Sequence, residues 1–330
     1  MAVRFVPEHA IAGIPNVVVD GSPNADTVLT LSHWPGSPTP PSLRDDLSAQ
    51  IAFHALAQPE LFDGIEAVTN NHFDQDGTAA AFALIDPEAA FARREQLIDV
   101  ARAGDFGTFA SRDMARVAMV LAALDDDAMS PLPAADLQVP YPQRCGVLYE
   151  WALPRLVEMI DHPGRWRDLW ADEDAQLGAG LDAIAAGVVR ITEYPEVDLA
   201  VVDVPDEWAS QAAHRFTRGE TAAVHPMAVN NSTNRLRVAV LQGGRFSLEL
   251  RYESWVMLTS RAVLPRPDLQ LLADGLNADD TTTWQADAPG ALTPRLRSDG
   301  DSSLSPSEFV ERVRTFLATA PPAWDPFHPG

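Results

Sequence analysis

The stretch "AVTNNHFDQDGTAAAFAL", residues 67–84, constrains the fold of this chain more than any other. It begins as a short apolar run and continues with three potential metal ligands at alternate positions: His72, Asp74 and Asp76. Side chains two residues apart in an extended segment point the same way, so these three can converge where a strand ends. Gly77 permits a tight turn, and Thr78 is suited to cap a following alanine-rich helix. The pattern predicts a metal site at a strand-to-helix turn.

Two other interpretations of the same residues compete with a metal site. An EF-hand loop also uses alternating acidic residues before a glycine, but it requires an acidic residue at its twelfth position. Counted from His72, that position is Ala83 and the first position is not acidic, so an EF-hand is excluded. A plain turn rich in Asp and Asn remains open, because these residues favour turns for local reasons.

The first third of the chain alternates strand and helix patterns. Short β-branched runs, "NVVVDG" (16–21) and "TVLTLSHW" (27–34), predict two strands, and "GIEAVTNN" (64–71) predicts a third. A helix is expected between the second and third strands, with Ser42 as its N-cap, and another from Thr78. The order β-β-α-β-α indicates an α/β domain with a mostly parallel sheet, and such sheets bind ligands at the carboxyl ends of their strands.

The later part of the chain changes in character near Gly187. Before it, helical patterns over 88–123 and up to about 186 flank a Pro- and Asp-rich loop at 124–143. After it come two strands, a hairpin turning at Gly243-Gly244, and two helices, the last with a Ser305–Glu308 capping box. We therefore expect an α/β domain with a helical connection over 1–187 and a smaller, β-rich α+β domain over 188–330.

The charge balance limits the partners that the chain can bind. Its 330 residues contain 47 acidic and 24 basic side chains, a net charge of −23, and every basic residue is arginine. Such a field repels long nucleic acid, whose binding depends on phosphate neutralisation. A small anionic substrate stays compatible with this charge if metal ions or arginines neutralise it locally.

The composition also indicates a cytoplasmic protein without membrane association. No apolar run approaches the ~20 residues that a membrane-spanning helix needs, and the N-terminal stretch lacks the pattern of a signal peptide. The single cysteine, Cys145, excludes an internal disulfide and fits a reducing compartment. The oligomeric state stays open.

The string "HFDQDG" followed by a small-residue helix resembles the first motif of the DHH phosphoesterase superfamily. That superfamily includes single-strand exonucleases, oligonucleotide and cyclic-dinucleotide phosphodiesterases, and manganese-dependent pyrophosphatases. The resemblance implies that His72, Asp74 and Asp76 are metal ligands, with Mn²⁺ as the expected ion and Mg²⁺ as the alternative. "AGDFG" is similar to the fourth motif, which implies that Asp105 completes the metal site.

The chain departs from that superfamily because it contains no Asp-His-His triplet; the closest string is Asp161-His162-Pro163. Asp20 and His33 each end an apolar run, where ligands at a sheet edge would lie. If their strands neighbour the 64–71 strand, Asp20 supplies a bridging carboxylate and His33 a second histidine, with His33 and Asp76 serving in catalysis. The alternative is a turn aspartate and a packed structural histidine.

Substrate-binding candidates lie in the second half of the chain. A guanidinium group can donate two parallel hydrogen bonds to two phosphate oxygens, so arginines are the natural candidates, and a histidine can add a further hydrogen bond. The candidates here are Arg251, Arg261, Arg266 and His225. An extended "RYESWV" (251–256) would place Arg251, Glu253 and Trp255 on one face. The competing interpretation is an Arg–Glu pair that stabilises a sheet, with Trp255 stacked on arginine.

Two functions follow from these patterns. The first is a metal-dependent phosphoesterase-like hydrolase that acts on a small phosphorylated or nucleotide substrate through a metal-activated water. The alternative is a non-catalytic ligand-binding protein, a degenerate relative on the same scaffold. A third interpretation is an α/β enzyme unrelated to that superfamily. The sequence has no Walker loop, no dinucleotide-binding glycine motif after a strand and no G-x-S-x-G elbow, so it gives no motif for such an enzyme.

Overall fold

The computed structural model describes residues 3–208, 211–212, 221–222 and 224–329. The chain forms two compact units: the first comprises 1–174 with Leu258–Arg261, and the second comprises 175–257 with 262–330. The division lies within helix Ala171–Ala185, earlier than the Gly187 expected from the sequence. The change of composition at Gly187 marks the end of that helix, whereas the packing changes partway along it.

The first unit contains four strands and eight helices among its described residues. The strands are β1 (Arg4–Phe5), β2 (Asn16–Val19), β3 (Thr27–Leu31) and β4 (Ala67–Thr69). The helices are α1 (Ser48–Leu56), α2 (Gln75–Ile85), α3 (Pro87–Phe91), α4 (Arg94–Asp105), α5 (Arg112–Leu124), α6 (Ala134–Leu137), α7 (Tyr141–Ala152) and α8 (Leu156–Asp161). Helix α9 (Ala171–Ala185) crosses the division between the units.

The strands of the first unit form one parallel sheet in the order β1-β4-β2-β3. Strand β2 is buried along its whole length, as expected for a strand covered on both faces. The predicted α/β class is confirmed. Because β2 lies between β3 and β4, the residues that follow all three strands meet at one edge of the sheet.

The two helices next to this edge begin differently from the sequence prediction. Helix α1 starts at Ser48, and the predicted N-cap, Ser42, lies instead in a short 3₁₀ turn at Pro41–Leu43. Helix α2 starts at Gln75 with Asp74 as its N-cap, three residues before Thr78. Both predictions were wrong because a carboxylate accepts the first amide protons of each helix more strongly than a hydroxyl does.

The second unit is a mixed sheet packed against two helices. Its described elements are β5 (Arg190–Tyr194), β6 (Leu199–Val204), β7 (Gln211–Ala212), β8 (Thr221–Ala222), α10 (Pro226–Asn230), β9 (Arg237–Gln242), β10 (Arg245–Leu250), β11 (Arg266–Pro267), α11 (Leu269–Asp279), β12 (Trp284–Ala286), β13 (Arg295–Ser298), α12 (Pro306–Thr319) and β14 (Pro322–Trp324). The main sheet has the order β12-β13-β10-β9-β6-β5, and its core is filled from α11 and α12. The hairpin and the Ser305–Glu308 capping box are confirmed.

Among the helices that the structure describes, none is both long enough and apolar enough to cross a membrane.

Close packing of α4 on α2 holds Asp105 near the sheet edge, and Gly104 makes this packing possible. A Cβ atom at Gly104 would lie 2.4 Å from Gln75 Cβ. We expect Gly104→Ala to lower the free energy of unfolding of the first unit by ~1–3 kcal/mol, because the helices would have to separate. Gly164→Ala, which adds a methyl group with no atom within 4 Å, is the control. Chemical denaturation of both variants tests this, and equal stability would contradict it.

Candidate metal centre

Asp20 lies at the turn that follows β2, in an unusual backbone conformation. Its φ is 47°, in the left-handed region that Asp tolerates better than most residues. The Asp20 amide donates to the Leu31 carbonyl (3.0 Å), which ties this turn to β3. A Cβ atom on the next residue, Gly21, would lie 2.6 Å from Asn71 Oδ1, so the turns after β2 and β4 are in close contact. The sheet edge thus places Asp20 beside the 70–76 segment.

The two carboxylate oxygens of Asp20 each face a different histidine. Oδ1 lies 3.3 Å from His33 Nε2, and Oδ2 lies 3.3 Å from His72 Nε2. Two groups of potential ligands result, one with Asp74 and one with Asp76, and within each group the ligand atoms lie within 4.8 Å of one another. Asp20 belongs to both groups. This is the arrangement that a carboxylate shared by two cations requires.

Asp74 and His72 form the more open side of the cluster. His72 Nε2 lies 2.9 Å from Asp74 Oδ2, while Asp74 Oδ1 accepts the Gly77 amide (2.8 Å) as the N-cap of α2. Both side chains are about one fifth exposed. One oxygen of Asp74 is therefore fixed by the helix, and the other faces the cluster on the side that solvent reaches.

Asp76 and Ser48 form the buried side, together with the start of α1. The Asp76 carboxylate accepts the amides of Ser48 and Ala49, both at 2.7 Å, so Asp76 caps α1 from another helix. The Ser48 hydroxyl donates to Asp20 Oδ1 (2.8 Å), and His33 Nε2 lies 3.8 Å from Asp76 Oδ2. Helix α1 therefore fixes the positions of two carboxylates at once.

Asp105 reaches the cluster from the end of α4. Its Oδ2 lies 3.4 Å from His33 Nε2, and its side chain is 6% exposed. The structure thus brings together all six residues proposed as ligands from the sequence: Asp20, His33, His72, Asp74, Asp76 and Asp105. The buried Asp and His groups of this cluster can hold a metal ion.

Hydrogen bonds orient both imidazole rings. The Nδ1 atom of His33 lies 2.5 Å from the Asp46 carbonyl oxygen, and that of His72 lies 3.2 Å from Asn71 Oδ1. Because each ring donates through Nδ1, loss of its second proton would leave Nε2, the atom that faces the carboxylates, as the metal-binding atom. Such outer partners are typical of metal-binding histidines because they fix the tautomer and the ring direction.

The cluster strongly perturbs the protonation of its members. Burial disfavours imidazolium, but the adjacent carboxylates outweigh it and raise the pKa of His33 to about 9 and that of His72 to about 10. Burial and the neighbouring Asp20 charge raise the pKa of Asp76 to about 7. Burial opposes the charged form of Asp20 too, yet both histidines hold its pKa below the usual value. Positive charge is therefore strongly favoured among these carboxylates.

Two of the proposed substrate-binding arginines are occupied within the second unit. Arg251 is 3% exposed, pairs with Glu253 and donates to the Thr233 carbonyl. Arg266 is 2% exposed and donates to several backbone carbonyls, including that of Ala291 (2.5 Å). Both guanidinium groups stabilise the fold of the second unit through these hydrogen bonds. The contacts give no support to a role in substrate binding.

The predicted extended conformation of "RYESWV" is wrong. Strand β10 ends at Leu250, and residues Tyr252–Ser254 form a 3₁₀ turn, because the Ser254 and Trp255 amides bond back to residues three positions earlier. The Arg251–Glu253 pair exists within this turn rather than across strands. Trp255 stacks on Tyr252 and Trp324.

The other two residues proposed to bind substrate, His225 and Arg261, lie in different units. His225 precedes the short helix α10, where its Nδ1 accepts the Met227 amide (3.2 Å) as an N-cap. Arg261 lies in the segment Leu258–Arg261, which belongs to the first unit, the same unit as the metal cluster. Its substrate role stays a prediction.

Three contacting residues were not found from the sequence: Asp46, Ser48 and Asn71. Asp46 accepts from His33 through its backbone carbonyl oxygen, which every residue type has, so the sequence gives no signal for this contact. Ser48 lies inside the helix that the sequence predicts to begin after Ser42, and a serine within a helix gives no indication of a functional site. Only Asn71, directly before His72, had a usable signal in its polar side chain at the strand end.

The fold and the cluster define a two-unit α/β protein with a candidate metal centre at the edge of a parallel sheet. The chain belongs to a family of unknown function (DUF6687), which matches residues 1–328. A search of curated proteins finds no match. The family description names no activity and no metal, so the likeness to the DHH superfamily rests on the two motifs alone.

Asp20→Asn is the most direct test of a shared carboxylate. An amide gives one neutral oxygen in place of two charged ones, so we expect manganese binding to fall by at least ~100-fold, with fewer than two ions bound. The measurement is titration calorimetry on folded protein, with the exposed Asp63→Asn as a control of equal charge change. Two ions bound with unchanged affinity would show that Asp20 does not bridge them.

Proton release provides a second test of the centre. At pH 7 the raised pKa values keep His33 and His72 protonated in the metal-free protein, whereas metal ligands must be neutral imidazoles. Metal binding should therefore release at least two protons, because Asp76, with its pKa raised to about 7, is also partly protonated, and the apparent affinity should fall as the pH falls. Calorimetry in two buffers with different ionisation enthalpies measures this number. A binding enthalpy that is independent of the buffer would contradict it.

Proposed function

We propose that this protein is a metal-dependent phosphoesterase-like hydrolase that acts on a small phosphorylated or nucleotide substrate. The observation that supports it best is the position of Asp20, with one oxygen 3.3 Å from each of His33 and His72. A simple turn gives no reason to bury a carboxylate between two histidines, whereas a pair of divalent ions does.

The ligand sets of the two proposed ions follow from the two groups. Asp20, His72 and Asp74 would hold one ion, while Asp20, His33 and Asp76 would hold the other with Asp105. Oxygen and imidazole ligands suit Mn²⁺, and Mg²⁺ is the alternative because carboxylates predominate. When bound, such a pair supplies an activated water and stabilises charge on the attacking and leaving oxygens.

The chain's own groups would contribute positioning more than proton transfer. Both oxygens of Asp76 accept amides of α1, and His33 Nδ1 is bonded to the Asp46 carbonyl, so these two residues act as rigid anchors. The partly exposed His72 and Asp74 mark the side from which a substrate would approach. The buried residues on the opposite side exclude water from the centre, which strengthens electrostatic interactions there.

The alternative is a non-catalytic ligand-binding protein that keeps one metal ion or none. The missing Asp-His-His triplet favours it, as does the burial of Arg251 and Arg266, which leaves fewer groups for substrate recognition. This alternative predicts metal or ligand binding without turnover at any metal concentration.

Hydrolysis by the wild type separates the two functions, and Asp74→Asn tests whether that hydrolysis depends on the metal centre without disturbing helix α2, because Asn is as good an N-cap as Asp. We expect Mn²⁺-dependent hydrolysis of para-nitrophenyl phosphate or bis(para-nitrophenyl) phosphate by the wild type. The variant should lose at least ~100-fold in kcat/KM, about 3 kcal/mol of transition-state stabilisation.

The controls for this assay are Asp63→Asn, which should keep full activity, and a chelator, which should abolish activity. Hydrolysis that survives the chelator would exclude the metal-dependent mechanism. Tight Mn²⁺ binding with no hydrolysis of either ester would favour the non-catalytic alternative.

A further inference from the structure

Arg44 is a partly buried arginine on the loop that supports the metal centre. Its Nε atom is buried and has no hydrogen-bond partner, and its guanidinium makes no ion pair with any residue that the structure describes. The chain has a net charge of −23, so carboxylates that could pair with an arginine are abundant. A buried donor left unpaired is costly, so a ligand that accepts from it would be bound favourably.

The position of Arg44 connects it to the cluster. Two residues later the Asp46 carbonyl accepts from His33, and four residues later Ser48 donates to Asp20. The loop from Arg44 to Ser48 therefore contacts one histidine and one carboxylate of the centre. Arg44 is the only arginine of this loop.

Asp46 also holds a distant segment of the chain against the same loop. Its Oδ1 accepts the Thr259 amide (2.7 Å), the Thr259 hydroxyl (3.0 Å) and the Ser260 amide (2.9 Å). Arg261 follows directly, at the end of the segment Leu258–Arg261 that belongs to the first unit. Asp46, which orients His33, thus also fixes the backbone directly before a second arginine.

The charge of the loaded centre indicates what these arginines would bind. The four carboxylates of Asp20, Asp74, Asp76 and Asp105 balance two divalent ions, so the proposed centre is close to neutral when both ions are present. A phosphate monoester carries about two negative charges at neutral pH, whereas a diester carries one. Two arginines match the charge of the monoester, and each guanidinium can fork onto two phosphate oxygens.

We infer that Arg44 and Arg261, held on either side of Asp46, form the anion-binding part of the metal centre and select a doubly charged phosphate group over a phosphodiester. The selectivity rests on the proposed hydrolase function. Binding of the anion itself does not, because it requires only the metal ions and the arginines.

The test uses Arg44→Gln in the full-length, Mn²⁺-loaded protein, with inorganic phosphate as the probe. We expect the phosphate Kd to rise by at least about tenfold while Mn²⁺ affinity stays unchanged, since Arg44 is not a ligand. Arg44→Lys should recover part of the binding because it keeps the charge but not the fork. Arg261→Gln should weaken phosphate in the same direction. The exposed Arg165→Gln, which removes a pair with Glu158, is the control.

Kinetics with two esters separate this inference from the hydrolase proposal. In Arg44→Gln, kcat/KM for para-nitrophenyl phosphate should fall by about 100-fold and that for the bis ester by less than about threefold. Equal losses for both esters would overturn the selectivity. Phosphate binding that depends on Arg44 without any hydrolysis would uphold the anion site and reject the hydrolase. A wild type that binds no phosphate, or a variant that binds it equally well, would overturn the inference.

Discussion

The burial of several carboxylates at one edge of a parallel sheet is the constraint on which the first unit depends. Asp20 and Asp76 are almost completely buried, and their negative charges would oppose folding if nothing compensated them. Compensation comes from two imidazoles, two helix amides and the Ser48 hydroxyl. The two histidines come from the turns after β3 and β4, and the amides and the hydroxyl come from the start of α1, so the cluster and the packing around the sheet edge form one arrangement.

In two places in this unit, a carboxylate on one helix accepts the amides at the start of another helix. Asp76, in the first turn of α2, caps α1, and the buried Asp99 of α4 accepts the Ala110 and Ser111 amides that precede α5. These bonds couple the helices to one another more strongly than apolar contact alone would, because charged acceptors make the stronger hydrogen bonds. Asp76 and Asp105 are thus placed by helices, whereas Asp20, His33 and His72 lie in the turns directly after strands, where the strand ends and the helix amides restrict their positions.

The predictions from sequence succeeded where a local pattern has a single structural meaning. The Gly243-Gly244 hairpin and the Ser305 capping box each follow from a few neighbouring residues, and the parallel sheet follows from the order of strand and helix patterns in the first third of the chain. They failed for the starts of α1 and α2, where the capping carboxylate outcompetes a nearby hydroxyl, and for the turn at Tyr252. The arginines show the same limit of prediction from sequence. Arg251 and Arg44 carry the same charge, and only their hydrogen-bond partners in the structure show that Arg251 stabilises the fold whereas Arg44 Nε lacks a partner among the described residues.

The sequence by itself determined that potential ligands end successive strands of an α/β sheet, because β-branched runs and the polar residues after them are local features. Only the tertiary structure decided that Asp20 lies between His33 and His72, since this depends on β2 pairing with both β3 and β4. It also decided which ring nitrogen of each histidine faces the carboxylates, because the other nitrogen is bonded to the Asp46 carbonyl in one ring and to Asn71 in the other. Strand order and hydrogen-bond partners join residues far apart in the chain, and no local pattern specifies them.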